Sequence, residues 1–298
     1  MSAAWRIGLW LLCLACLAYA GICAYLLIEQ NKLLYIGTAL PPHPPGLALT
    51  PFNDASGAQI GWVAQPAGMA RGTVVFFHGN DEEAWSADQN YAPYFTARGW
   101  RVVFPEYRGF DMRADLAPTH DMVIADAVVD LQLAQHDWPR GKFWVAGNSL
   151  GAGIAAEAAG RDAAAQAAGT DIAQAAGEDA AQAAPEGREG GAQRVLLFVP
   201  WDRMSAVAAE RYPFIPTRLL LWLDGTDYDS CAALAGMADE VFVIYAGQDN
   251  IIPAHHARHL AACLSLQPAH ILGLPHATHL DWYQQLSPAQ WDNLLLSP

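Results

Sequence analysis

Ser149 stands at the centre of Gly147-Asn148-Ser149-Leu150-Gly151, with an apolar run at 142–146 before it and an alanine-rich segment after it. A Gly-x-Ser-x-Gly pattern between a strand and a helix is the setting of a nucleophile elbow, a tight turn that lifts a serine hydroxyl above the edge of a sheet. The flanking glycines remove Cβ atoms that would strike the adjoining strand and helix. A serine hydroxyl is a weak nucleophile at neutral pH, so it needs a base, a group to orient that base, and donors for an oxyanion. Asp249 follows the apolar run 240–245 and precedes a helical pattern, which sets it apart from turn-forming aspartates such as Asp54 and Asp81. Asp224, Asp227 and Asp229 lie in a polar turn with no strand before them and are weaker acids for this role. His279 comes 30 residues after Asp249, just beyond a strand that ends near Leu274. Its competitor is His276. His279 is favoured because the chain needs a few residues to turn back over the elbow, and Trp282 and Tyr283 can open a closing helix behind it. Serine, acid and histidine in this order is one of the arrangements in which such triads occur.

The oxyanion donors should be two backbone N–H groups, one just after the nucleophile and one in a loop after an early strand. Leu150 fills the first role and Asn80, at the end of Phe76-Phe77-His78-Gly79-Asn80, the second. His78 precedes the serine, the wrong side for the base in this order, and reads as a brace of its loop. His255 and His259 are spaced i and i+4, a geometry that binds zinc, but no third ligand or general-base glutamate accompanies them at metalloprotease spacing. The expectation there is a surface helix and no metal.

The elements that must position these groups alternate along the chain. Short apolar runs at 60–64, 72–77, 101–104, 143–146, 194–199, 240–245 and 270–274 read as strands. Helical patterns fall between them at 85–98, 120–136, 152–168, 254–264 and 288–296. Runs apolar on both faces suit a mostly parallel central sheet with helices on both sides, a doubly wound α/β domain. At 298 residues and 53% hydrophobic, the chain can bury one large core. The connection 200–239 carries Trp201, Tyr212, Phe214, Trp222 and a leucine run, and reads as a core-packing helix, with an apolar wall of an acyl pocket as the alternative.

Two segments lie outside that alternation. Residues 7–28 carry no charge and would span about 33 Å as a helix, enough to cross a bilayer core. A cleaved signal peptide competes, since Ala18-Tyr19-Ala20 is a small-x-small pattern, but the apolar run continues beyond Ala20 farther than cleavage needs. The expectation is an uncleaved transmembrane anchor at 1–32 ahead of a catalytic domain at 33–298, joined through the proline-rich stretch 41–45. Arg6 and the amino group before the run, against Lys32 after it, bias the amino terminus slightly inward and the domain outward, the periplasmic side in a two-membrane bacterium. The second segment, at 163–193, is Ala/Gln-rich and holds three copies of an eight-residue unit. With almost no large apolar residue to bury, it reads as a low-complexity insertion away from the catalytic loops.

Net charge of −14 argues against nucleic acid as a partner. Of the five cysteines, Cys13, Cys16 and Cys23 lie in the apolar run; Cys231 and Cys263 could pair, though nothing in the sequence requires it.

His78-Gly79-Asn80, Tyr107-Arg108-Gly109, the elbow, Gly247 to Asp249 with Pro253, and His279 together resemble the membrane-anchored α/β-hydrolase-domain serine hydrolases, relatives of the protein depalmitoylases and the prolyl-oligopeptidase-like hydrolases. The resemblance runs from about Leu34 to the end, apart from the Ala/Gln insertion. It implies an α/β-hydrolase fold, a Ser149–Asp249–His279 triad, a signal anchor, and no metal or organic cofactor. The expected reaction is hydrolysis of an ester or thioester of a small or lipid-like acyl substrate. The alternatives are a peptidase or amidase on the same triad, and a membrane-tethered interaction protein with an idle fold. Two positions depart from the family pattern: Asn148, where Arg, His or Tyr is frequent, and Phe110-Asp111-Met112 after the Tyr-Arg-Gly loop.

Overall fold

The computed structural model describes residues 3–37, 48–168 and 191–297. The proline-rich stretch and most of the Ala/Gln insertion lie outside the described residues.

Helix α1, Ala3–Leu34, takes in the whole uncharged run and continues two residues past the expected boundary at 32. It is long and apolar enough to cross a membrane, and none of its residues is fully buried. Eight strands follow in one sheet: β1 Leu49–Asn53, β2 Gln59–Ala64, β3 Gly72–Phe77, β4 Trp100–Pro105, β5 Lys142–Asn148, β6 Arg194–Phe198, β7 Val241–Ala246 and β8 Ile271–Leu274. Their order is β1-β2-β4-β3-β5-β6-β7-β8. β2 pairs antiparallel with β1 and β4, and every other pairing is parallel.

Strand alternation builds the two layers. In β3 every residue is buried; Val75 and Phe77 point to one core and Val74 and Phe76 to the other. Helices α3, His120–Asp137, α4, Leu150–Ala168, and α8, Ala254–Cys263, cover the first face through Ile124, Ile154 and Leu260. Helices α2, Ala84–Thr96, α9, Trp282–Gln285, and α10, Pro288–Leu296, cover the second through Phe95, Trp282 and Trp291. Local signals set the helix starts: Thr119 accepts the Met122 N–H ahead of α3, and Ser287 and Gln290 form a capping box ahead of α10. From β3 the chain goes first to β4 on one side and then to β5 on the other. That reversal opens a crevice at the carboxyl ends of β3 and β5, where open α/β sheets bind ligands.

Three points depart from the sequence expectations. β1 was not expected: Pro51 argues against a strand, and only Phe52 is buried, which is tolerable at a sheet edge. β8, the other edge, is half exposed, so its run is not apolar-covered on both faces. The connection 200–239 is not a core-packing helix. It folds as α5, Met204–Arg211, α6, Thr217–Asp224, and α7, Ser230–Ala233, and α6 buries only Thr217 and Leu220. The leucine run is instead amphipathic, with α1 as its neighbour. As expected, α8 is a surface helix: His255, Arg258 and His259 are exposed, while His256, Ala257, Leu260 and Ala261 face the core. Cys231 of α7 and the last residue of α8, Cys263, form a disulfide that ties this connection to the sheet layer.

Candidate active site

β5 delivers Ser149 to the crevice. Its register places Gly147 beside Phe77 of β3 and Asn148 beside Phe198 of β6, so the serine emerges where three parallel strands end. Ser149 has a positive φ of 55°, a strained setting for a residue with a side chain. The neighbouring backbone leaves room for nothing larger than glycine: a Cβ on Gly147 would fall on the Gly151 carbonyl, and one on Gly151 would fall on the Phe77 carbonyl. Ser149 N–H donates to Phe198 O at 3.0 Å, which pins the turn to β6.

The structure brings Ser149, His279 and Asp249 together. Ser149 Oγ lies 2.9 Å from His279 Nε2, and His279 Nδ1 lies 2.6 Å from Asp249 Oδ2. A carboxylate only accepts, so Nδ1 carries the proton and Nε2 is left to accept from the serine hydroxyl. The other carboxylate oxygen of Asp249 accepts the N–H groups of Ile251 and Ile252, each at 2.8 Å. Those two bonds hold the acid in one rotamer. The loops carrying Asp249 and His279 are laced together by Gly247 N–H on Leu274 O and Gln248 N–H on Ala277 O. Asp281 accepts from both the backbone and hydroxyl of Thr278, closing the turn that carries His279 and holding the Asp281 carboxyl below its usual range. Asp249 and His279 are buried, whereas His276 is exposed. Of the weaker acid candidates, Asp227 accepts from Ser205, Asp229 caps α7 and pairs with Arg203, and Asp224 is exposed at the end of α6.

Leu150 is the first residue of α4, so its N–H belongs to the unpaired first turn of a helix and points toward the serine side. Asn80 lies just past β3, and its Oδ1 accepts the N–H of Ile36 at 3.2 Å, tying this loop to the chain leaving α1.

His78 is fully buried. Its Nε2 meets Glu106 Oε1 at 2.9 Å, its Nδ1 meets Gly79 O at 2.8 Å, and its ring stacks on Tyr107, whose hydroxyl donates to His78 O. Burial opposes a charge here, yet the Glu106 carboxylate lifts the imidazole above its ordinary pKa. In that form both ring nitrogens donate. His78 therefore braces the loop, as its place ahead of the serine implied.

Sequence reasoning missed three residues around this site: Glu82, Tyr91 and Glu106. Glu82 Oε2 accepts the Gly79 N–H at 2.7 Å and the Asn148 amide at 3.2 Å, while its Oε1 accepts the Tyr91 hydroxyl at 2.6 Å. The one signal available was an acid three residues after a glycine in a loop, the spacing at which a carboxylate reaches back to a backbone N–H. Arg108 and Arg113 both pair with Asp126, which gives the Phe110-Asp111-Met112 turn its anchor.

The histidines of α8 also have partners. His256 Nδ1 and His259 Nδ1 each bond Asp202, at 2.8 and 2.7 Å, and His255 Nε2 bonds Glu210 Oε1 at 2.7 Å. Burial opposes the charge on Asp202, but the two histidines hold its carboxyl down at about 2. The i, i+4 pair therefore does not converge on a point. Glu210, His255 and His256 form the one group among the described residues whose ligand atoms lie within 4.8 Å of each other. The direct His255–Glu210 bond satisfies that contact as a link between α5 and α8.

Comparison with known proteins gives the family and the fold. The family model described as the alpha/beta hydrolase family matches residues 74–291. No curated protein matches the chain. Among solved structures, a butyrate-bound thermophilic esterase from Thermogutta terrifontis is similar with a TM-score of 0.57 at 17% identity, over 85% of this chain and 94% of that one. An esterase from Pyrococcus furiosus matches with a TM-score of 0.55 at 13% identity, over 87% and 94%. An alpha-beta serine hydrolase homologue from Coxiella burnetii matches at 0.51 and 13%, over 84% and 94%. At such identities the likeness is one of fold.

Proposed function

Because the chain belongs to the alpha/beta hydrolase family, we propose that it is a membrane-anchored serine hydrolase that cleaves carboxylic esters or thioesters through an acyl-enzyme. The observation that carries this reading is the unbroken hydrogen-bond path from Ser149 Oγ through His279 to Asp249. Esterases among the fold neighbours support it.

In the reaction, Ser149 Oγ attacks the acyl carbonyl as His279 Nε2 takes its proton. Asp249 holds the imidazole in the tautomer that can accept and stabilises the imidazolium that forms. The N–H groups of Asn80 and Leu150 stabilise the tetrahedral oxyanion, a contribution of about 3–4 kcal/mol per donor in comparable sites. His279 then returns the proton to the leaving alcohol or thiol. Water, activated by the same base, releases the acid and restores the serine. Side chains and backbone supply all of this chemistry. The domain spans 33–298, and α1 holds it to the membrane with the domain on the extracytoplasmic side.

A fluorophosphonate probe followed by a chain-length series of nitrophenyl esters tests the reading. The expected result is covalent labelling that Ser149→Ala abolishes while the protein stays folded, together with ester turnover. Undiminished labelling of the variant would sink the assignment. Washing membranes with salt or carbonate tests the anchor, and protease added to intact spheroplasts tests the side. The protein should resist the wash and be digested from outside.

A further inference from the structure

The connection between β6 and β7 leaves an apolar surface uncovered. Tyr212, Phe214, Leu219, Trp222 and Leu223 are all exposed, Phe214 at 86% and Trp222 at 72%. Single exposed apolar residues are ordinary, but a cluster this dense in one short segment marks a surface that meets something apolar.

The neighbour of this segment is α1. The Tyr19 hydroxyl donates to Phe214 O at 2.8 Å, and Thr226 Oγ1 lies 3.4 Å from Gln30 Oε1. Along α1, Cys23, Leu26, Leu27, Gln30, Asn31 and Leu34 are half-buried at helical spacing, so one face of its carboxyl half is turned to the domain. Between that face and helices α5 and α6 lies a cavity of about 520 Å³, within the range of small-molecule sites. Leu26 and Leu34 line it from α1, Val207, Leu220 and Leu221 from α5 and α6, and Ile251 from the loop of the triad acid. Ile251 donates its N–H to Asp249, and Ile36, two residues beyond Leu34, donates to Asn80. Each wall is therefore tied by a backbone N–H, its own or that of a residue close by in the chain, to a residue of the proposed catalytic machinery.

Depth along α1 identifies what meets the exposed cluster. At 1.5 Å per residue, Tyr19 lies about 13 Å inside the Ile28 end of the uncharged run. A bilayer that covers residues 7–28 therefore reaches Tyr19, and Phe214, bonded to Tyr19, shares its depth. Arg211 precedes the cluster and Arg218 lies within it; both are exposed, with side chains long enough to extend toward the headgroups.

From this geometry we infer that α1 is a wall of the substrate site as well as an anchor: the cavity between α1 and α5–α6 receives the acyl chain of a membrane-resident ester, which enters sideways from the leaflet past Phe214 and Trp222. The inference rests on the hydrolase reading for the reaction it serves, but occupation of the cavity can be read without turnover.

The test uses the full chain in phosphatidylcholine vesicles carrying a trace of lipid with a diazirine on its palmitoyl chain. Irradiation should place adducts on the cavity-facing residues Leu26, Leu34 and Val207. Leu26→Trp and Val207→Trp fill the space from opposite walls. Each should cut those adducts several-fold and lower the ratio of palmitate-ester to butyrate-ester kcat/KM by about tenfold. Thermal unfolding checks the fold, and either variant suffices if the other fails to fold. Adducts confined to the outward face of α1, or an unchanged ratio in the folded variants, would overturn the inference. If no ester is turned over at all, the hydrolase reading falls and the adduct map alone decides the cavity.

Discussion

The side-chain oxygen of Asn148 accepts the indole N–H of Trp282 at 3.0 Å across 134 residues of chain, joining the nucleophile turn to the helix just behind His279. The same amide donates to Glu82 and to the Tyr91 hydroxyl, and Glu82 in turn holds the Gly79 N–H. One buried amide thus registers three loops: the loop proposed to hold the oxyanion, the elbow and the loop of His279. An arginine or tyrosine at this elbow position could not both accept from an indole and donate to a carboxylate and a phenol.

Asn148→Ala should therefore orphan the Trp282 N–H and loosen the Glu82 carboxylate. A buried unpaired polar group costs about 1–3 kcal/mol, so denaturant unfolding should show a loss of about 2 kcal/mol. Turnover should fall by about tenfold with KM little moved, because misplacement of the base affects the transition state more than binding. A change confined to KM would assign Asn148 to substrate contact instead.

The two histidines of the final loop should separate cleanly. His279→Ala is expected to lower kcat by about six orders of magnitude, leaving a floor set by the oxyanion donors. His276→Ala, exposed and away from the path, should cost tenfold or less by the same measure. Steady-state kinetics on one nitrophenyl ester ranks them, and the reverse ranking would reassign the base.

The His78–Glu106 pair carries a pH signature. The folded pKa of His78 is raised, so its stabilisation is complete below the unfolded value of about 6.5 and fades as pH rises through the folded value. Glu106→Gln should remove that dependence. Thermal midpoints of wild type and variant should differ most at the acidic end of a series from about pH 5.5 to 9 and converge toward the alkaline end. A gap that widens with pH would contradict the assignment.

Asp202 works with the opposite sign. Its folded pKa is about 2 against an ordinary 3.8, so its stabilisation is present above 3.8 and is lost as pH falls toward 2. Asp202→Asn should flatten this stretch of the stability profile, measured as urea midpoints in acid. An equally steep acid limb in the variant would show that other carboxylates dominate it.

The disulfide between Cys231 and Cys263 closes a loop of 32 residues. Loop-closure entropy alone gives about 3–4 kcal/mol for that length. Cys231→Ser should lower the unfolding free energy by about that amount. Reduction of the wild type should reproduce the loss, since both act on the same constraint, and reduction of the variant should add nothing.

Much of this protein was legible from residue order alone, for local reasons. The elbow glycines and the strand runs are decided by steric demands within a few residues, so Gly147 and Gly151 announce themselves. The meeting of Asp249 and His279 with Ser149 was readable because strand ends in a parallel sheet deliver loops to one edge, whatever the intervening sequence. What only the tertiary structure decided depends on contacts between distant segments. Glu82, Tyr91 and Asn148 meet because β3, α2 and β5 pack side by side, and no spacing along the chain encodes that meeting. The leucine run of α6 looked like core because composition reports hydrophobicity but not its destination. Its destination is α1, about 190 residues earlier in the chain, as the Tyr19–Phe214 bond with its separation of 195 illustrates. Likewise Cys231 and Cys263 pair because α7 comes to rest beside α8, at a Cα separation of 6.1 Å that only the folded chain creates.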